Sequence, residues 1–387
     1  MNWTYFLLEN AQTEEQLTHL EHAEDHLINA GEDGFNHAFN TLHNVHQALL
    51  GKKHDAKLTT KYDGSPSIVA GYHPETKRFF VASKSVFNKN PKINYTPADI
   101  EKNHGHAPGL VSKLKSALQH LPKVVPTSGI YQGDLMYTKA DHDVKTQGSN
   151  YHFTPNTITY SVNKNSDHGK QIAKAKMGVA FHTRYVGDDI TKMKAVHGVG
   201  HEGFNQHDDV HLIDVHTNLK NIKYTPDAAK NFTSSMQKAM KAHVALKDYD
   251  HLEPHRDYMK MYINKSVEGT DRPSASGYKS FIQDRFTNEA AKLVTDAGKQ
   301  RKLNALQHLT SHLDQHHDKI ESTFDIHHHL QNAKNVLVHT LAQDQEFHHS
   351  VDGVAVKPEG HVAVINNRPT KLVDRSEFSK MNRLRTR

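Results

Sequence analysis

At 387 residues, with 36% hydrophobic and 24% charged content, the chain is long enough to bury a core of ordinary size, which excludes a disordered or fibrous protein. Lys and Arg (48) exceed Asp and Glu (43), a formal +5 that suits a polyanionic partner without requiring one. The absence of cysteine excludes disulfides, thiolate metal sites and cysteine nucleophiles, and fits a reducing cytoplasm.

The N-terminal stretch MNWTYFLLENAQTEEQ carries a short apolar run without a basic segment before it, and no run approaches the ~20 apolar residues of a membrane span. The expectation is a soluble cytoplasmic protein with no membrane partner. Residues 12–50 follow a helical period through Leu17, Leu20, Leu27, Phe35, Phe39, Leu42, Val45 and Leu49, with a break at AGEDG (30–34). From Lys57 the texture turns to short β-rich pieces: KLTTKYDG, SIVAGYH, RFFVASKS, GIYQGDLMY, TITYSV and MGVAFHTRY. A helix is expected between the third and fourth, over Leu110–His120. Thr225 as N-cap and Pro226 at the first helical position open a helical stretch that runs to about Phe347, interrupted at EGTDRPSASG. Strand character returns in SVDGVAVKPEG and HVAVINN. The expected fold class is α+β: a helical segment (1–56), an antiparallel-sheet domain in two pieces (57–224 and 348–387), and an all-α insertion between them (225–347).

Chemistry gathers at TTKYDGSPS. A Lys-x-Asp-Gly string, Lys61 to Gly64, is weak evidence alone, and Lys61 reads equally as a solvated strand-end lysine. It is followed in order by an acid on a later strand, Asp134 in YQGDLMY, by Asp352, Gly353 and Lys357 in VDGVAVK, and by Lys371 in RPTKLVDR. In these residues the chain resembles the covalent nucleotidyltransferase superfamily of ATP-dependent RNA and DNA ligases and mRNA capping enzymes. KYDGS, with its small residue after the glycine, is most similar to the bacteriophage RNA ligases. The resemblance covers residues 57–185 and 350–375, and the layout is also similar to that of tailed-phage proteins, which would place the chain in an infected bacterial host cytoplasm.

That resemblance implies an ATP-grasp-like ligase domain and a cofactor set of ATP with Mg²⁺ or Mn²⁺. Lys61 would attack the α-phosphate as a neutral amine and become a lysyl-AMP, with Lys357 and Lys371 countering phosphate charge. Asp352 would ligate the metal, as a carboxylate suits a hard cation. Asp134 would bind ribose, Asp63 would support the nucleophile loop and the ribose side, and Gly64 would permit the close turn. Phe181 in GVAFHTRY would stack on adenine, and Lys84 in ASKSVF would lie near the phosphates; core packing for Phe181, a turn cap for Asp134 and a surface hairpin for Lys84 stay open. The last motif carries one lysine, with Arg375 a possible substitute for a second. The short tail after it leaves no room for an OB-fold, which favours RNA ligase over DNA ligase.

The expected activity is therefore an RNA-ligase-like transfer of AMP to a 5′-phosphate, followed by sealing to a 3′-hydroxyl of RNA or DNA. The alternatives are nucleotidyl transfer to a non-nucleic-acid acceptor, or a catalytically decayed phage protein that binds nucleic acid or serves a structural role. SVFNKNPKINYTPADIEKNHGHAPG (85–109) reads either as a strand-binding groove using Phe87 or Tyr95, or as an ordered surface loop. His308, His312 and His316 recur every four residues along one helix face opposite Leu306, Leu309, Leu313 and Ile320, so a metal site and a solvated face both fit.

Overall fold

The computed structural model describes residues 20–267 and 272–377. They form a mixed α and β protein whose sheets are largely antiparallel. The first helix, α1 (Asp25–Leu49), bends where Ala30 and Gly31 leave helical geometry, Gly31 with φ +56°. Its Cα lies where any Cβ would meet Tyr249 Cβ at 2.9 Å, so the break in the hydrophobic period at AGEDG is a kink set by close packing.

Strands β1 (Lys57–Lys61), β2 (Ser67–Tyr72) and β3 (Phe79–Ala82) come next. Helices α2 (Pro97–His104) and α3 (Pro108–His120) then precede β4 (Ile130–Thr138), β5 (Val144–Gln147), β6 (Asn150–Phe153) and β7 (Thr159–Asn163). After α4 (Asp167–Lys174) come β8 (Met177–Val186), β9 (Lys194–His197) and β10 (Val210–Leu212). The helical stretch comprises α5 (Pro226–Leu246), α6 (Arg256–Ser266), α7 (Ala275–Ala291), α8 (Asp296–Gln315) and α9 (His317–Leu341). The chain then returns to strand: β11 (His348–Val351), β12 (Val354–Ala355), β13 (Gly360–Ile365) and β14 (Arg368–Leu372).

Three sheets result, ordered β1-β13-β14, β10-β8-β4-β2-β3 with β9 on β8, and β12-β11-β7-β6-β5. The first joins the second through the segment after β10: Thr60 N–H donates to Val215 O (2.6 Å) and Thr217 N–H to Leu58 O (3.0 Å). Helices α2 and α3 cover one face of the six-stranded sheet, where Ile100, Val111, Leu114 and Ala117 pack on Ile68, Ala70, Leu135, Val179 and Phe181.

Thr225 caps α5 by accepting from Ala228 N–H (3.2 Å), and Pro226 stands at its first turn, as the sequence predicts. The helical stretch 226–341 does not form a core of its own. Phe35, Leu42 and Val45 of α1 share one cluster with Leu330 and Leu337 of α9 and with Leu58, Ala363, Ile365 and Leu372 from the back of the three-stranded sheet. The N-terminal helix, the bundle and that sheet are thus one packed unit. Within it Glu24 pairs with Lys334 at 2.7 Å with both side chains fully buried, and Arg375 pairs with Asp25. Among the described residues no helix is long and apolar enough to cross a membrane.

Candidate active site

Residues directly opposite one another in an antiparallel pair share a face of the sheet. Lys61 opposes Gly360, Thr59 opposes Val362, and Val362 opposes Lys371, so Lys61 and Lys371 stand on one face of β1-β13-β14. The other face, with Leu58, Ala363 and Leu372, is buried on the helices. Facing Lys61 across a cavity is the side of the six-stranded sheet opposite α2 and α3. Lys61, Lys84, Asp134, His182, Thr183 and His197 line this cavity together with Gln132 and Tyr185.

The loop between β1 and β2 is pinned. Asp63 accepts at Oδ2 from the backbone N–H of Thr157 (2.8 Å) and Ile158 (3.0 Å), and at Oδ1 from Asn156 Nδ2 (2.8 Å). Its own N–H donates to Tyr160 OH (2.6 Å). Asp63 therefore spends its carboxylate on holding the loop after Lys61, the supporting half of its expected role. At Gly64 a Cβ would lie 2.5 Å from Asp134 Cβ, so glycine is what lets this loop close over Asp134.

Lys61 Nζ donates to Glu359 Oε1 at 2.5 Å; the Glu359 side chain is 3% exposed and that of Lys61 25%. Burial raises the Glu359 carboxyl above its ordinary range, partly offset by the Lys61 charge. Its second oxygen, Oε2, is buried without a hydrogen-bond partner. Gly360, which follows, has φ +144°, and a Cβ there would meet Leu372 O at 2.4 Å, so the turn that delivers Glu359 to the lysine requires glycine.

Burial likewise pushes Asp134 up to about 6, against the pull of Lys61 and Lys84; its 23% side-chain exposure means that cavity water tempers the effect. Burial, with Lys84 and Lys61 adding to it, pushes His182 down to about 4. Its Nε2 stands 3.7 Å from Asp134 Oδ2 and its Nδ1 2.8 Å from Thr183 Oγ1. Lys371 is lowered by burial first and by Lys61 second, which places two cations within electrostatic reach of each other.

Of the residues picked from sequence, Lys61, Lys84 and Asp134 meet at the cavity, Lys371 shares the Lys61 face, and Asp63 and Gly64 shape the loop. Three do not join them. Phe181 points into the helix-covered core, 1% exposed, with its ring 4.9 Å from Phe204 and 6.3 Å from Tyr131; its neighbours Ala180 and His182 face the cavity instead. Asp352 (φ +50°) and Gly353 (φ +82°) are the exposed two-residue turn between Val351 and Val354, a hairpin signal that the acid-Gly motif had obscured. Lys357 is exposed and its Nζ lies 3.4 Å from Glu377 Oε1. The acid beside Lys61 is Glu359, in the string Glu-Gly-His-Val, a second acid-Gly pair seven residues after Asp352.

Two further expectations change. Phe87 is buried against Tyr185 (4.3 Å between ring centroids), and Tyr95 lies under the Arg78 guanidinium at 4.4 Å. Neither lies on the site cavity, and the stretch 85–109 holds helix α2 with a Thr96–Asp99 capping box.

Glu24, Asp25 and His327 bring ligand atoms within 4.8 Å of one another, but Lys334 and Arg375 already match the two carboxylates in charge, so this node closes without a metal. The cavity offers two lysines, Lys61 and Lys84, to phosphate oxygens and the Asp134 carboxylate as a hard-oxygen donor, a set that fits a nucleotide with a divalent cation.

No curated protein and no solved structure matches the chain significantly. A family model does match it, over residues 16–386, and the chain accordingly belongs to the family of unknown function DUF6267.

Proposed function

We propose that the chain is a covalent nucleotidyltransferase that forms a lysyl-AMP on Lys61, and that it acts as an RNA-ligase-like enzyme with ATP as donor. The observation that carries this reading is the convergence of Lys61, Lys84 and Asp134 on one cavity, with buried Glu359 against Lys61 and Lys371 on the same sheet face.

The chemistry follows from that set. Lys61 Nζ loses a proton and attacks the α-phosphorus; an N–P bond forms, the bond to the pyrophosphate oxygen breaks, and pyrophosphate leaves. Glu359 is the carboxylate in direct contact with the ammonium, which it orients before the proton departs. Lys84 sets positive charge at the cavity and Lys371 adds to it from the Lys61 side, where charge spreads over the phosphate oxygens in the transition state. Asp134, the carboxylate that lines the cavity, would hold Mg²⁺ or Mn²⁺, which when bound neutralises phosphate charge and orients the leaving group. The stacking role expected of Phe181 passes to His182, the next residue and the one that faces the cavity. An oxygen of the 5′-phosphate then attacks the AMP phosphorus, the N–P bond breaks and Lys61 takes back a proton; a 3′-hydroxyl attacks the activated 5′-phosphorus and AMP leaves.

Sealing assays on 5′-phosphorylated RNA and on nicked duplexes, run beside a labelling assay with ATP carrying its label in the α-phosphate, test the reading. Labelling with sealing supports it in full. Labelling without sealing points to a non-nucleic-acid acceptor, and neither result under Mg²⁺ or Mn²⁺ leaves a non-catalytic nucleic-acid-binding protein.

A further inference from the structure

Glu359 stands between two spaces. Behind the β1-β13-β14 sheet it borders a small cavity together with His361, with His339 and Ala342 of the α9 end, and with Asp374 and Glu377 beyond β14. His361 opposes Thr60 and Leu372, so its side chain belongs to the helix-covered face of the sheet, away from Lys61. Glu359, just before β13, reaches both sides: its Oε1 holds Lys61 Nζ in front, and the residue borders the cavity behind.

Polar groups in that cavity go unmatched. His361 is fully buried, and among the described residues neither its Nδ1 nor its Nε2 has a hydrogen-bond partner; Glu359 Oε2 is buried and unpartnered as well. Burial pushes His361 down to about 4, so near neutral pH the ring carries one N–H and one lone pair. Buried groups of this kind are ordinarily satisfied, by protein or by an ordered water. The cavity has about 10 Å³ of room, which suits one water molecule. Such a water donates to the Glu359 carboxylate and bonds a ring nitrogen of His361 with its remaining capacity. Toward solvent the cavity ends on exposed His339, whose Nε2 lies 3.0 Å from Asp374 Oδ2.

We propose that a water held between Glu359 and His361 carries away the proton that Lys61 loses, behind the sheet toward His339 and solvent. The step rests on the nucleotidyltransferase reading and completes its first half-reaction. Lys61 Nζ gives a proton to Glu359 Oε1, and the electron pair it keeps forms the N–P bond. Rotation about Cγ–Cδ turns the new O–H toward the water, which accepts that proton, releases one to solvent and restores the carboxylate. Burial already raises the Glu359 carboxyl, and the opposing pull of Lys61 disappears once the lysine is neutral, so both favour the protonated acid in passing. His361 touches no substrate; it is a positioning residue that anchors the water.

The test compares single-turnover labelling by α-labelled ATP in the full-length wild type, His361→Leu and Ala342→Leu, with ATP affinity and melting temperature measured on the same preparations. His361→Leu removes both ring nitrogens, and Ala342→Leu fills the space of the water without touching them. Neither residue lines the nucleotide cavity, so both variants should bind ATP and melt as wild type does. Each should nevertheless form the adduct about tenfold more slowly, with a larger solvent deuterium isotope effect. His361→Gln, which can still bond the water, should recover most of the rate. Should His361→Leu misfold by circular dichroism, Ala342→Leu carries the test. A folded variant that labels at the wild-type rate overturns the proposal while the lysyl-AMP chemistry stands. Slowing that merely tracks lost ATP affinity or a lower melting temperature overturns it as well, since packing alone would then explain it. A wild type that binds ATP and never labels overturns the proposal and the nucleotidyltransferase reading together.

Discussion

Glu359 holds Lys61 across 298 positions of sequence, the two side chains meeting at 2.5 Å because β1 pairs with β13 in the register that sets Lys61 opposite Gly360. Glu359→Gln keeps the shape and removes the charge. Lys61 then loses its orienting carboxylate, so adduct formation should slow by about a hundredfold or more. The freed ammonium is 25% exposed and reaches cavity water, so the melting temperature should move by only a few degrees. Rapid-quench labelling and a thermal melt on the same preparation check both parts; undiminished labelling would remove Glu359 from the reaction.

Phe181 and His182 are adjacent in sequence and serve opposite faces of β8. Phe181→Ala empties a position in the helix-covered core and should cost about 3–5 kcal/mol, lowering the melting temperature by roughly 5 °C. His182→Ala should melt close to wild type while weakening ATP binding by about tenfold. If instead Phe181→Ala spares stability and abolishes nucleotide binding, the facing assigned to this strand is wrong.

Acid should unfold the protein. Burial pushes His26, His327 and His349 down to about 4 and His211 down to about 3, from 6.5. Each is neutral in the folded chain at pH 6, whereas the unfolded chain protonates it. The stability they contribute is present above pH 6.5 and is lost as pH falls toward their folded values, each adding up to ~1.4 kcal/mol per pH unit. Asp134, held up to about 6, works in the opposite direction and is outnumbered. Far-UV circular dichroism should show cooperative loss of structure between about pH 6 and pH 4.5. A melting temperature unchanged from pH 7.5 to pH 5 would contradict this.

Much of the architecture is legible in local chemistry. Thr225-Pro226 marks the start of α5, the apolar period from Phe35 to Leu49 marks the amphipathic face of α1, and the strand texture around Lys61 and Asp134 places both on strands. Helix α2 was equally readable from Thr96, Pro97 and Asp99, but the polar, proline-bearing surroundings disguised it as a loop. Facing and pairing were not readable. Alternation says that Phe181 and His182 point oppositely, but only the packing of α2 and α3 on one side decides which of them sees the cavity. Asp352 and Glu359 both satisfy an acid-Gly spacing; the two-residue turn between Val351 and Val354 takes one, and the register of β1 on β13 delivers the other to Lys61. The sharing of one core by α1 and the later helices depends on contacts between Phe35 or Leu42 and residues some 290 positions away, for which a periodic pattern carries no address.

The most direct test of the central claim is to incubate the chain with α-labelled ATP and a divalent cation, then map the label by mass spectrometry after proteolysis. The account predicts an acid-labile AMP on the peptide containing Lys61, absent in Lys61→Ala and reduced but present in Lys84→Ala. A stable fold that binds ATP yet never acquires the label, or a label that persists in Lys61→Ala, would contradict it.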